Sequence, residues 1–309
     1  MTRILITGGA GLVGRALAET LPKDSTLFTD LARGGLPNDV RFERMDVTGD
    51  DPARLIAQEQ PDVVVHLASI VTPPPGMTRE QAFAVDVTGT QNVLIACIVQ
   101  GVRRIVVTSS GAAYGYHAEN PVPITEDIPC CGNPEFAYAD HKRQVEEMLA
   151  TARNTHPALE QVVLRVGTVL GGGVNNQITD LFRRKRLLTV KGSDSPFVFI
   201  WTKDLARIVT RAATDGPVGI FNVAGDGWLT IDDLSCALCK PVLRIPAWLL
   251  KTALAVARPL GLSQYGPEQV RFLQYRPVLS NERLKSEFGY HPERSSAQVF
   301  EAWMKEAGL

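Results

Sequence analysis

A chain of 309 residues with 45% hydrophobic side chains can bury a large α/β core, so its stability needs neither metal nor disulfide staples. Its 32 lysines and arginines balance 33 aspartates and glutamates, which excludes a broad field drawing the whole protein to nucleic acid or an anionic membrane. Five cysteines without framework spacing fit a reducing cytoplasm, and a strand starting at residue 3 leaves no room for a signal peptide.

The first two thirds alternate short β-branched runs with helical stretches. Strands are predicted at residues 3–7, 26–29, 63–66, 104–108 and 161–166, and helices from Leu12, over 78–99 and over 135–152. Val63-Val64-Val65 and Ile105-Val106-Val107 are apolar throughout, as in strands covered on both faces. The predicted fold class is α/β: a Rossmann-type, doubly wound parallel sheet over residues 1–170. Beyond it, residues 171–309 predict a smaller, mainly helical substrate region, with strands at 187–190, 197–200 and 220–223 and helices at 202–214 and 230–238. Some of these elements are expected to return to the main sheet.

Three features of this second part read as structural. The basic run Arg183-Arg184-Lys185-Arg186 is expected to be a solvated helix end. Cys236 and Cys239 lack a second ligand pair, so they predict buried side chains on a helix; no metal site is expected. Residues 245–262 contain Pro246, Lys251, Arg258 and Pro259 and fall short of the ~20 apolar residues a membrane span requires. Lys251 and Arg258 lie seven apart, which predicts an amphipathic helix packed on the body.

Thr7-Gly8-Gly9-Ala10-Gly11-Leu12-Val13-Gly14 follows a strand and opens a helix. Glycine at 8 permits a tight turn, at 11 a close backbone approach to a pyrophosphate, and at 14 close helix packing. Asp30, sixteen residues after Gly14, stands near the ~20-residue spacing of a carboxylate that binds ribose hydroxyls. That carboxylate repels a 2′-phosphate and favours NAD over NADP, although Arg33 lies close.

Tyr138 and Lys142 are four apart in a helical stretch and share a face. A phenol is a poor base at neutral pH; a neighbouring ammonium favours the phenolate and suits it to acid–base work. Thr108-Ser109-Ser110 ends a strand upstream, at the sheet edge where ligands bind. A hydroxyl there can bond a substrate oxygen as charge develops. His141, inside the same motif, is expected on a different helix face.

Together the glycine motif, Asp30, the strand end Thr-Ser-Ser-Gly-Ala-Ala-Tyr-Gly (108–115) and the Tyr138/Lys142 pair resemble the extended short-chain dehydrogenase/reductase superfamily, the NAD-dependent epimerase/dehydratase family. The resemblance implies Ser110, Tyr138 and Lys142 as catalytic residues. It implies adenine contacts at Asp46 and Val47, cofactor contacts at Leu67, Ala68 and Ser69, and a nicotinamide contact at Val166. It also implies a homodimer through helices near 80–100 and 135–152. Two residues depart from the family pattern: Asp86 stands where asparagine is usual, and Val166 where proline is usual.

Nucleotide-sugar members of the family hold the diphosphate with two arginines. Phe197 stands where the first would be, and only Arg276 is placed to substitute for the second. The aromatics Phe197, Phe199, Trp201, Trp228 and Trp248 fit either a less charged substrate or simple core. The leading expectation is NAD-dependent hydride transfer at a secondary alcohol or carbonyl of a small-molecule substrate. The alternatives are a nucleotide-sugar epimerase or dehydratase that retains NAD, and a non-catalytic dinucleotide-sensing protein.

Overall fold

The computed structural model describes residues 2–174, 176–194, 196–261 and 266–309. Strands β1 (Ile4–Thr7), β2 (Thr26–Asp30), β3 (Arg41–Arg44), β4 (Val63–His66), β5 (Arg104–Ser110) and β6 (Glu160–Val166) lie in one parallel sheet. Two short strands follow, β7 (Thr168–Leu170) and β8 (Leu187–Val190), then β9 (Phe199–Trp201), β10 (Gly219–Val223) and β11 (Val242–Ile245). β10 joins the main sheet beside β6, giving the order β10-β6-β5-β4-β1-β2-β3. The order reverses beside β1, which places a ligand crevice at the carboxyl ends of β1 and β4.

Side chains alternate across this sheet. Ile4, Ile6, Val63, Val65, Val106, Val162 and Leu164 face one core; Leu5, Val64, Ile105, Val107 and Val163 face the other. The first core is closed by α1 (Leu12–Leu17) and, later in the chain, by Leu205, Ile208, Val209 and Ala212. The second is closed by α2 (Asp51–Glu59), α4 (Gly89–Val99) and α5 (Ala137–Thr155). α3 (Arg79–Phe83) runs into α4 through one π-helical turn, Ala84–Thr88. The continuous helix Arg79–Val99 has the length and hydropathy of a membrane span, yet half of it is buried inside the fold.

The remaining helices are α6 (Gln177–Arg183), α7 (Thr202–Ala213), α8 (Ile231–Leu238), α9 (Ala247–Ala257), α10 (Gln269–Gln274), α11 (Glu282–Ser286) and α12 (Ser296–Ala307). β8 and β11 pair in parallel, as do β7 and β9, forming a small lobe beside the sheet. Phe182, Phe197, Phe199, Phe300 and Trp303 interlock in its core with ring centroids 5.2–6.1 Å apart.

Two expectations fail here. Cys236 and Cys239 are exposed, because the sulfurs sit on the solvent side of α8, with Cys239 at its left-handed cap. α9 packs on the body through Ala247, Leu250 and Leu254, but its outer face is not the charged one expected, since Trp248, Leu249 and Val256 are exposed there. Leu262 lies outside the described residues.

Candidate active site

The carboxyl ends of β1, β4, β5 and β6 line one side of a cleft of about 1090 Å³, together with the first turns of α1 and α5. Gly8, Gly11, Leu12, Val13, Gly14, Leu67, Ser69, Ser110, Tyr138, Lys142 and Val166 all face it. Asp30, Asp46, Val47 and Ala68 do not line that cavity.

The glycines are fixed by close approach. Gly8 has φ +68°, and a Cβ there would lie 2.6 Å from the Ala68 nitrogen; at Gly14 it would lie 2.1 Å from the Gly9 carbonyl oxygen. Only hydrogen fits either place, and the turn is drawn onto the end of β4. Asp30 reaches back to this turn, accepting hydrogen bonds from the Ala10 and Leu31 N–H groups at 3.0 and 2.8 Å. Arg33 donates to the Pro37 and Val40 carbonyls and lies over Phe42, so its guanidinium serves its own loop. Asp46 accepts from the Thr48 N–H and hydroxyl, shaping the turn before α2.

Ser110 ends β5 and caps the following 3-10 turn by accepting from the Ala112 N–H at 3.1 Å. The same hydroxyl favours the ionised form of Tyr138. Lys142, one turn further along α5, donates to the Thr108 carbonyl at 2.9 Å, and its Nζ lies 5.7 Å from the centre of the Tyr138 ring. Burial pushes the Tyr138 phenol above its ordinary pKa, opposed by the Ser110 hydroxyl and reinforced by the Asp86 charge. Burial lowers the Lys142 pKa, while Asp86 and Glu146 raise it.

Asp86 explains its own departure from the family pattern. Its Oδ1 accepts from the Ser69 hydroxyl and the Ile70 N–H, and its Oδ2 from His141 Nδ1, at 2.7–2.9 Å. Three donors converge on it; a carboxylate accepts all three, whereas an amide offers one oxygen. The π turn carries Asp86 to this position. His141 therefore lies on the cleft side with Tyr138, correcting the expectation of a different face, because residues three apart on a helix are neighbours.

His66 holds the floor. Thr90 donates to the Asp86 carbonyl, so its oxygen accepts from His66 Nε2 at 2.9 Å, and His66 Nδ1 accepts from Thr7 at 2.7 Å. Burial, followed by the Lys142 charge, lowers the His66 pKa to about 3, so this ring is neutral.

Another part of the cleft wall is built by Tyr116, Phe136, Phe197, Phe272, Arg276 and Leu279. Arg276 stacks between two rings, its guanidinium carbon 3.9 Å from the Phe197 centroid and 4.8 Å from that of Phe272. Burial lowers its pKa to about 9. Sequence reading missed Tyr116, whose burial raises its pKa to about 12 and whose ring packs edge-on against Phe136 and Phe272. Of the five aromatics singled out by sequence, Phe197 lines the cleft and Phe199 is core; Trp201 packs on that core, while Trp228 and Trp248 are exposed.

The sequence model of the NAD dependent epimerase/dehydratase family matches residues 4–224. The chain belongs to that family. The family's cofactor is NAD. Among its relatives, the protein Rv0501 of Mycobacterium tuberculosis (strain ATCC 25618 / H37Rv) is 22% identical over 316 residues, covering 99% of this chain and 84% of its own. The Bordetella bronchiseptica enzyme WbmG, solved with NAD, superposes with a TM-score of 0.75 at 23% identity, covering 99% of this chain and 94% of that one. The UDP-glucose 4-epimerase of Thermotoga maritima, solved with UDP-glucose, gives 0.77 at 18% identity and 99% coverage of both. These likenesses establish the α/β epimerase fold.

Proposed function

We propose that the cleft carries out oxidoreduction at a secondary alcohol or carbonyl, with Tyr138 moving the proton. The observation that carries this reading is the meeting of Ser110, Tyr138 and Lys142 in the same cleft as the glycine turn. NAD supplies or takes the hydride when bound. The residues fit it: Gly8 and Gly14 leave no room for a Cβ, Gly11 opens the turn to a pyrophosphate, and Asp30 stands at the end of β2 for the ribose. Asp46 and Val47, after β3, would lie toward the adenine, and Leu67, Ala68, Ser69 and Val166 toward the rest of the cofactor.

Ser110 would donate to the substrate oxygen, and Tyr138 Oη would take the alcohol proton or return it. Burial favours the neutral phenol and Ser110 opposes it; the Lys142 ammonium, 5.7 Å from the ring centre, would add to the pull toward the phenolate. Since one Lys142 N–H is engaged by Thr108, the others are available to ribose hydroxyls. The cleft exceeds the ~300–1,000 Å³ of ordinary ligand pockets, which suits a dinucleotide and a substrate held together.

A second reading, a nucleotide-sugar epimerase that retains NAD, is favoured by Arg276, a buried cation on the substrate side. Cofactor bookkeeping separates the two. Incubated with NAD and a panel of secondary alcohols, sugar acids and UDP-sugars, a net dehydrogenase accumulates NADH in proportion to substrate. Tightly held NAD, no net NADH and interconverted sugars would decide for the epimerase. Exposed Ile95 and Val99 on α4 support a homodimer through this helix and α5.

Asp86 predicts a pH effect. Its charge raises the Tyr138 pKa, so Asp86→Asn lowers it, and the phenolate forms at lower pH. The acid limb of kcat/KM for alcohol oxidation is expected to move to lower pH in this variant. An unmoved limb would show that Tyr138 does not feel Asp86 during turnover.

A further inference from the structure

We propose that the lobe carrying α9 docks on an anionic lipid surface. α9 turns Ala247, Leu250 and Leu254 toward the body, against a small core that includes Val190, Val270 and Leu273. Its outer face is also apolar. Trp248 is 68% exposed, Leu249 45% and Val256 56%, and Leu260 just beyond the helix is 65% exposed. An apolar helix face is normally enclosed, and this one meets solvent beside the exposed Lys251.

Charge names the cover. Residues 181–191 and 240–261 contain nine lysines and arginines and no aspartate or glutamate, in a chain whose formal net charge is −1. Three of the nine have acidic partners from neighbouring segments: Arg183 with Asp180, Arg244 with Asp232 and Arg258 with Glu268. Arg184, Lys185, Arg186, Lys191 and Lys251 are exposed, and none forms an ion pair among the described residues. Lys191 stands where α9 begins, since its N–H bonds the Ile245 carbonyl at 2.9 Å.

Arg184, Lys185 and Arg186 precede β8, whose register with β11 (Leu187 against Val242, Val190 against Ile245) separates them from α9 by about 13 Å of strand. Cations in excess of acids, with a tryptophan and outward aliphatic groups, are what an interfacial helix needs to enter the headgroup region of an anionic bilayer. A nucleic acid would use the cations and leave the aliphatic face in water. A second copy would bring its own cations against these. Arg258 lines the reaction cleft, so docking would set the cleft mouth beside the lipid.

The test is flotation of the full chain with vesicles of phosphatidylcholine alone or with phosphatidylglycerol added, at low salt and at about 0.5 M salt. Wild type is expected to float with the anionic vesicles only and to detach at high salt. Replacing Arg184, Lys185 and Arg186 together by serine should weaken partition about a hundredfold, at roughly fivefold for each cation. Trp248→Ser with Leu249→Ser should weaken it at least about tenfold. Thermal melts and NAD binding of both variants should match wild type, since these side chains are exposed and outside the cofactor site. Failure to float with anionic vesicles would overturn the proposal. So would flotation that neither variant reduces, or a halving of solution mass in the Trp248/Leu249 variant, which would make a second copy the occupant.

Discussion

Tyr138→Phe protein is expected to bind NAD as wild type does and to lose about 10²–10⁴-fold in kcat, the contribution of a positioned acid–base group. The phenol oxygen is the one atom removed. The ring keeps its packing beside Ala112, Tyr116 and Ala139, and Lys142 keeps its bond to the Thr108 carbonyl. Calorimetric titration with NAD and turnover of the same preparation separate binding from chemistry. Full turnover in this variant would remove Tyr138 from the mechanism. A parallel loss of NAD affinity would reassign it to holding the cofactor. Ser110→Ala should lower kcat less, because it deletes a hydrogen bond to the substrate oxygen and leaves the proton path in place.

The second large effect concerns folding. Arg165 on β6 is 5% exposed and Glu146 on α5 is 7% exposed; Arg165 Nε and Nη2 donate to the two Glu146 oxygens at 2.9 Å each. Arg165 Nη1 donates to the Tyr114 hydroxyl and the Glu126 carbonyl at 2.8 and 3.0 Å. Burial alone would lower the guanidinium pKa, but Glu146 reverses this and holds it above the ordinary value. Glu146→Ala leaves that cation buried without its counter-charge, a cost of about 3–5 kcal/mol. The expected result is a fall of roughly 10 °C in Tm. Replacing both partners with leucine and methionine should recover much of the loss, since a buried pair roughly breaks even against apolar groups of its size. A single variant as stable as wild type would show that water reaches Arg165.

The central strands were legible because a strand covered on both faces has to be apolar at every position, and Val63-Val64-Val65 can be little else. β3 was not legible. Arg41-Phe42-Glu43-Arg44 lies at the sheet edge with one apolar residue, and its charges, which discourage pairing with another chain, also erase the alternating pattern. β11 carries Arg244 among four residues and, among the described residues, pairs with β8 alone, so it too lacks a pattern.

The same division holds at the site. Tyr138 and Lys142 are local in sequence, and Ser110 ends an apolar strand, so each announces itself. The Asp86–His141 bond joins residues 55 apart. The aspartate at an asparagine position and the histidine within the tyrosine–lysine motif were each visible, but their pairing depends on a π turn that no periodicity reveals. Arg276 on Phe197 is a similar case: the ring standing where an arginine was sought carries an arginine from elsewhere in the chain.

The seventh strand bears on how such a molecule can be divided. β10 arises within the second half of the sequence, yet it pairs with β6 over five residues, Gly219↔Val162 to Val223↔Val166. The half of the chain that forms the small lobe thus also supplies the edge of the main sheet. A fragment ending near residue 170 would present the backbone of β6 bare, an open template for aggregation. Neither portion is a transplantable module.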